Sequence, residues 1–199
     1  IRVINPNGDD GVTEWGGCTV TSITFDHSPA YTSFTLQFST NGGNTWNNIV
    51  TNWSATANPA TYNWTMPNVN NLSTLVRVVS GSVSDQSDAA FVIQKPVTLI
   101  QPNFGGILQV GSNYEVQWSS DGISNYYDLF YSTNGGSSYT NIVTGYVTST
   151  NTYNWSVPAI PSTNCKMVIR DNVNTCKTDT SDVAFTISTL AAPITILTP

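Results

Sequence analysis

The sequence predicts an all-β protein built from two tandem β-sandwich domains. Three observations lead to this prediction. A unit of about ninety residues occurs twice, apolar and polar residues alternate within each unit, and turn-forming Asn-Gly-Gly triplets separate apolar runs. A repeat of this length is a whole domain rather than one turn of a solenoid.

The repeat is visible in three motifs that return just over ninety residues later. The first motif is a run of turn residues, the second contains a Tyr-x-Trp pattern, and the third is a closing Ser-Asp-x-x-Phe-x-Ile pattern. Ser39–Gly43 returns as Ser132–Gly136, Tyr62–Pro67 returns as Tyr153–Pro158, and Ser87–Ile93 returns as Ser181–Ile187.

The opening of the unit marks the domain boundaries. Ile1–Pro6 corresponds to Val97–Pro102, and a similar run, Ile194–Pro199, ends the chain. We therefore predict one repeat over 1–94, a second over 95–193, and the first strand of a third over 194–199. In the alternative interpretation, this last run is a terminal strand of the second domain.

Side-chain alternation predicts the strands. Phe34, Leu36 and Phe38 occupy every second position of one strand, and the equivalent strand over 127–132 has the same pattern. A period of two residues is that of a half-buried strand. About seven such short strands per unit are typical of an immunoglobulin-like (fibronectin III-like) β-sandwich.

The predicted domains are joined by a very short segment, Gln94–Pro96. Proline restricts the backbone, and the segment lacks the composition of a flexible Gly/Ser linker. We therefore expect a semi-rigid pair of domains.

The composition disfavours several classes of function. Only 9% of the residues are charged and the net charge is −6, so the basic surface that nucleic acids and anionic membranes require is missing. No apolar run approaches the ~20 residues of a membrane helix. With a single histidine, His27, and three cysteines, the chain offers little for catalysis. We expect no enzyme activity, no cofactor and no metal site.

The motifs resemble a known repeat family. In the second unit the matching residues are Pro102, Gly111, Trp118, Tyr153, Trp155, Pro158, Phe185 and Ile187; in the first they are Pro6, Tyr62, Trp64, Pro67, Phe91 and Ile93. This pattern is similar to the Ser/Thr-rich repeat first described in fungal cell-wall proteins. The first unit departs from it at one position, where Phe25 stands in place of the tryptophan that the second unit has as Trp118. The resemblance implies immunoglobulin-like modules, as found in tandem in bacterial secreted and surface proteins. It implies an extracellular or cell-surface location, with neighbouring domains of the same polypeptide as partners.

A second, local resemblance concerns the turn motif. Ser39-x-Asn41-x-Gly43-x-Thr45-Trp46 looks like the Asp-box hairpin of sialidases, with Asn in place of Asp. The resemblance implies a hairpin that is stabilised by its own short polar side chains and is not catalytic.

Cys165 and Cys176 flank a predicted turn of the second unit, and we predict a disulfide between them. Such a bridge favours an oxidising compartment. We expect Cys18 to be either a buried small hydrophobic residue or the partner of a cysteine outside this segment.

Acidic turns raise the possibility of calcium binding, because Asp9–Asp10 near Glu14 and Asp171–Asn174 near Asp179 supply oxygen ligands. Neither group has EF-hand spacing, and Asp and Asn are ordinary turn residues. We therefore favour solvated turns.

Three aromatic residues in predicted loops are candidates for carbohydrate binding, namely Trp15, Trp53 and Tyr31. An exposed aromatic ring can stack on a sugar. The alternative is that these rings cap the open end of a sandwich.

The sequence thus favours a non-catalytic spacer or adhesion segment of a secreted or surface-attached multidomain protein. The alternative is a carbohydrate-binding module attached to a polysaccharide-degrading enzyme. Besides the neighbouring domains, we expect an extracellular polysaccharide or a surface protein as a candidate partner.

Overall fold

In the computed structural model, residues 1–8 and 14–189 are described. They form two compact units, of which unit 1 comprises Ile1–Lys95 and unit 2 begins at Pro96. The division falls one residue after the boundary expected from the sequence. The predicted strand over 194–199 lies outside the described residues.

Unit 1 has nine strands among its described residues. They are β1 (Arg2–Asn5), β2 (Glu14–Gly16), β3 (Val20–Asp26), β4 (Ser33–Ser39), β5 (Asn47–Ser54), β6 (Ala60–Thr65), β7 (Asn71–Ser80), β8 (Val83–Gln86) and β9 (Phe91–Gln94).

Unit 2 repeats the same series in the same order. Its strands are β10 (Val97–Gln101), β11 (Ile107–Gln109), β12 (Asn113–Ser120), β13 (Tyr126–Ser132), β14 (Thr140–Val147), β15 (Thr152–Ser156), β16 (Ser162–Asp171), β17 (Thr178–Thr180) and β18 (Phe185–Ser188).

In each unit the strands form a smaller and a larger sheet. The smaller sheets have the order β1-β3-β6 and β10-β12-β15. The larger sheets have the order β2-β9-β7-β4-β5 and β11-β18-β16-β13-β14, with β8 paired to β7 and β17 paired to β16. The protein is therefore all-β, with two tandem immunoglobulin-like (fibronectin III-like) units, as predicted.

The predicted alternation of apolar and polar residues determines which side chains form the hydrophobic core of each unit. Every second residue of β4 and β13 points inward, and the motif residues Trp64 and Trp155 are buried, as are Phe25 and Trp118. Each unit has its own hydrophobic cluster. The seven strands expected per unit omit β2, β8, β11 and β17. Three of these strands have only three residues, which are too few to show an alternation.

The chain enters and leaves each unit at opposite ends. In unit 2, the β10–β11 segment runs alongside the last part of the unit in the same direction: Leu99 N donates to Asp179 Oδ2, Val183 N donates to Asn103 O, and β11 pairs with β18 in parallel. In unit 1, β2 pairs with β9 in parallel. At ~3.3 Å per residue, roughly ten extended residues correspond to about 30 Å between entry and exit.

Candidate functional site

The Asn-Gly-Gly hairpins stabilise themselves, as their resemblance to the Asp-box implies. Asn41 Oδ1 accepts hydrogen bonds from Thr45 N at 2.9 Å and from Ser39 Oγ at 2.9 Å. In unit 2, Asn134 Oδ1 accepts from Ser138 N at 3.0 Å and from Ser132 Oγ at 2.8 Å. These side chains are engaged in the turn, so the motif has a structural role in both units.

The Ser-Asp motif has a structural role too. Asp88 N donates to Asn7 Oδ1 at 2.8 Å, and Asn7 Nδ2 donates to Asp88 Oδ2 at 2.9 Å. The same reciprocal pair joins Asn103 and Asp182, at 2.6 and 3.0 Å. We call this reciprocal pair the Asn–Asp latch. It fastens the segment after the first strand to the segment before the last one.

The expected disulfide between Cys165 and Cys176 is not formed. Cys165 carries a free thiol, and its fully buried side chain faces the core of unit 2. The Sγ atom donates to Ser162 O at 3.5 Å. Cys176 lies in an exposed turn beyond the far end of β16. The prediction relied on spacing along the chain and overlooked that Cys165 alternates with Met167 and Ile169 on the inner face of this strand.

The acidic turn of unit 2 is closed by its own backbone. Asp171 Oδ1 accepts from Val173 N at 2.8 Å and Asn174 N at 2.9 Å, while Asp179 is bonded to Leu99 N. Asp9–Asp10 lie outside the described residues. Within 1–8 and 14–189, no three His, Cys, Asp or Glu side chains are grouped so that they could hold a metal ion.

The three aromatic candidates all pack against the core of unit 1 and are half-buried. Trp15 lies on β2, and its indole nitrogen is buried without an acceptor among the described residues. Trp53 lies on β5, with its ring 5.3 Å from that of Tyr62. Tyr31 lies in the turn before β4. Because β2 and β5 are opposite edges of the larger sheet, Trp15 and Trp53 are separated by roughly 19 Å and are not brought together.

His27 is likewise part of the packing. Its Nδ1 lies 3.0 Å from Ser28 O and its Nε2 lies 2.9 Å from Ala57 O. The ring is buried and contacts Phe34, with 4.8 Å between ring centroids. Both nitrogens are engaged with backbone oxygens, so the imidazole is not presented to a substrate.

The outer face of the larger sheet carries an arginine stacked on an aromatic ring in each unit. In unit 1, the Arg77 guanidinium lies 4.2 Å from the ring centroid of Trp46. Its Nε and Nη2 donate to Gln37 Oε1 at 3.0 and 2.6 Å. The guanidinium therefore covers the ring of the hairpin tryptophan.

In unit 2 the arginine is directed elsewhere. Arg170 lies 4.7 Å from the ring centroid of Phe130, and its Nη2 donates to Asp128 Oδ2 at 2.7 Å. Gly145 N and Asn172 Nδ2 donate to Asp128 Oδ1 at 2.9 and 2.8 Å. Burial raises the pKa of Asp128, but the hydrogen bonds from Arg170, Gly145 and Asn172 and the charge of Arg170 hold that pKa below its ordinary value.

Strand register explains the difference between the units. Gln37 and Phe130 hold the same place, two residues before the hairpin serine. Gln37 is opposite Arg77, whereas Phe130 is opposite Val168. Val168 thus occupies in unit 2 the position that Arg77 has in unit 1. The arginine of unit 2, Arg170, lies two residues farther along β16.

The substitution leaves a groove of about 360 Å³ on unit 2. Its lining consists of Phe130, Tyr139, Val168, Arg170, Thr175 and Thr178. Tyr139, the counterpart of Trp46, is 42% exposed. The sequence predictions did not include this site, although Phe130 is a large apolar residue at a position where the alternation calls for a polar one.

The chain matches no model of a known protein family and no curated protein sequence. Among solved structures it is similar to the fibronectin(III)-like modules of Clostridium thermocellum CbhA, at 14% identity over 94% of this chain and 93% of that chain, with a TM-score of 0.34. It is similar to SGBP-B of the Bacteroides ovatus mixed-linkage glucan utilization locus, in complex with mixed-linkage heptasaccharide, at 10% identity over 91% of this chain and 48% of that chain, with a TM-score of 0.33. The teleost fish polymeric Ig receptor ectodomain has 9% identity over 96% of this chain and 99% of that chain, with a TM-score of 0.32.

Identities and TM-scores this low carry no argument about function, and the fold follows from the strand order described above. The described residues include no helix with the length and hydropathy needed to span a membrane.

Proposed function

We propose that this chain is a non-catalytic spacer segment of a secreted or cell-surface multidomain protein. Its partners are the neighbouring domains of the same polypeptide, which it holds apart. The observation that carries this proposal is the parallel course of the first and last segments of each unit, because a module entered at one end and left at the other adds length to a chain.

The use of the repeated motifs supports the same function. The hairpin asparagines and the Asn–Asp latch are both engaged in holding the fold together. The polar residues that recur in both units are thus those that a scaffold needs to keep its shape. We also propose that the chain is a module of the Ser/Thr-rich repeat type that its motifs resemble, and that it lies outside the cell or at the cell surface.

The connection between the units also fits a spacer. Only Lys95 and Pro96 lie between β9 and β10, and Pro96 O accepts a hydrogen bond from Asp121 N at 2.8 Å. Proline fixes one backbone torsion of this connection. A connection this short allows far fewer relative orientations of two domains than a flexible linker does.

Small-angle X-ray scattering tests the proposal on the whole chain. The control variant carries a Gly-Ser-Gly-Ser insertion between Lys95 and Pro96. We expect the parent chain to have a single, well-defined maximum dimension, and the insertion to broaden the distribution of dimensions. If the two proteins scatter alike, with the broad distribution of freely jointed domains, the spacer proposal is wrong.

A further inference from the structure

We propose that the groove on the outer face of unit 2 binds a neutral sugar ring of a polysaccharide chain. This binding site is distinct from Trp15, Trp53 and Tyr31, and it goes beyond the spacer function. The relevant contacts are an exposed aromatic ring, a partly exposed guanidinium and two threonine hydroxyls around a groove of about 360 Å³. That volume lies at the lower end of the range for small-molecule sites.

The hairpin ring is more exposed in unit 2, where Tyr139 is exposed, than in unit 1, where Trp46 is half-buried. In unit 1 the guanidinium of Arg77 occupies the space above Trp46, at 4.2 Å. In unit 2 the corresponding residue is Val168, which is too short to cover the ring of Tyr139. The Tyr139 ring lies across the hairpin, since a Cβ atom on Gly136 would come within 2.8 Å of its hydroxyl. The hairpin thus supports a ring against which an apolar sugar face can stack.

The polar contacts of the groove suit hydroxyl groups. Arg170 directs its Nε and Nη2 toward Asp128 Oδ2, at 3.3 and 2.7 Å. Its side chain is 36% exposed, so its remaining N–H groups can donate to a ligand. Thr175 and Thr178 add hydroxyls to the lining of the groove, and Thr178 Oγ1 donates to Ile169 O.

The charge of the site argues for a neutral ligand rather than an anion. Asp128 is buried and cancels the charge of Arg170 at 2.7 Å, and no other cationic side chain lines the groove. The whole chain carries a net charge of −6, which repels anions at longer range. A polyhydroxylated ring without charge satisfies the aromatic face and the donors, and adds no unpaired charge to the site.

Asp128 acts here as a positioning residue. It accepts from Arg170, Gly145 and Asn172, and so holds the guanidinium over Phe130. In unit 1 the same strand position is occupied by Thr35, and the arginine lies over the hairpin ring. The two units therefore provide an open and a closed version of one surface.

The test is a titration of the full chain with neutral hexasaccharides from cellulose, β-1,3-glucan, xylan, mannan and chitin, followed by two-dimensional NMR. A hexamer of galacturonic acid serves as the anionic probe. We expect at least one neutral probe to shift the signals of Tyr139, Val168 and Arg170. Tyr139→Ala and Val168→Arg are each expected to weaken this binding by about tenfold or more, the second because it rebuilds the covered surface of unit 1.

Trp46→Ala, the matched change in unit 1, is expected to leave the affinity unchanged, and signal dispersion reports whether each variant is folded. The proposal is overturned if no neutral probe shifts these signals at about 10 mM, a concentration that reveals even millimolar binding. It is also overturned if only the anionic probe binds, or if both unit 2 variants bind as well as the parent. None of these results bears on the scattering experiment, which tests the spacer function separately.

Discussion

Single residues determine how each hairpin and each outer face is built. Asn41 and Asn134 make the same bonds in the two units, and this was predictable because every partner lies within four residues along the chain. The orientation of the arginines was not predictable in the same way. It depends on which residue of β13 lies opposite Arg170, and the partners Asp128 and Arg170 are 42 residues apart. Local chemistry is readable from sequence, whereas cross-strand register is not.

Asp128 gives unit 2 a pH dependence of stability. Its folded-state pKa is below the ordinary value, so the unfolded chain binds a proton more readily. The stabilisation is therefore present above the unfolded-state pKa of ~3.9 and is lost as the pH falls through the folded-state pKa. We expect Asp128→Asn to lower the free energy of unfolding of unit 2 at pH 7 by about 1–3 kcal/mol and to flatten its dependence on acidic pH.

Urea unfolding at pH 7 and at pH 3, followed by NMR signals of unit 2, measures this effect. Glu115→Gln, which removes an exposed carboxylate of the same unit, is the control and is expected to change little. Equal pH dependence in the parent and the Asp128→Asn protein contradicts this role for Asp128.

At the scale of the strands, the Asn–Asp latch joins the opening of each repeat to its closing Ser-Asp motif, because the latch asparagine directly follows the proline that ends the opening run. Asn103 and Asp182 are 79 residues apart, yet each satisfies polar groups of the other. The sequence pattern indicated that both motifs belong to the repeat, but a pairing at this separation leaves no local signal. Trp15 and Trp53 were expected in loops, but they lie on β2 and β5 at the two edges of the larger sheet, and the sequence does not reveal how far these edge strands extend.

The latch predicts energetic coupling between its two residues. We expect Asn103→Ala and Asp182→Ala each to destabilise unit 2 by about 1–3 kcal/mol, because each leaves a partner without its hydrogen bonds. The double variant is expected to lose less than the sum of the two, with a coupling energy of about 1 kcal/mol. Chemical denaturation of the four proteins gives this quantity directly. Strict additivity shows that the reciprocal bonds contribute nothing to stability.

At the scale of the whole molecule, two features of the chain matter together. Each unit is a complete β-sandwich with its own core, and the chain passes through each from one end to the other. The sequence was sufficient to predict the number of units and their fold class, since the repeat and the alternation are strong signals. The end-to-end path could not be predicted, because it depends on the short strands β2 and β11 and on their parallel pairing.

The most direct test of the spacer function is the rotational motion of the two units in solution, measured by ¹⁵N relaxation on the full chain. A spacer that holds its neighbours apart requires both units to tumble together, with the long correlation time of one 21.5 kDa particle. The variant with the inserted Gly-Ser-Gly-Ser is expected to show shorter correlation times. If the two units of the parent chain instead tumble independently, each like a domain of about half that mass, the connection is flexible and the account is contradicted.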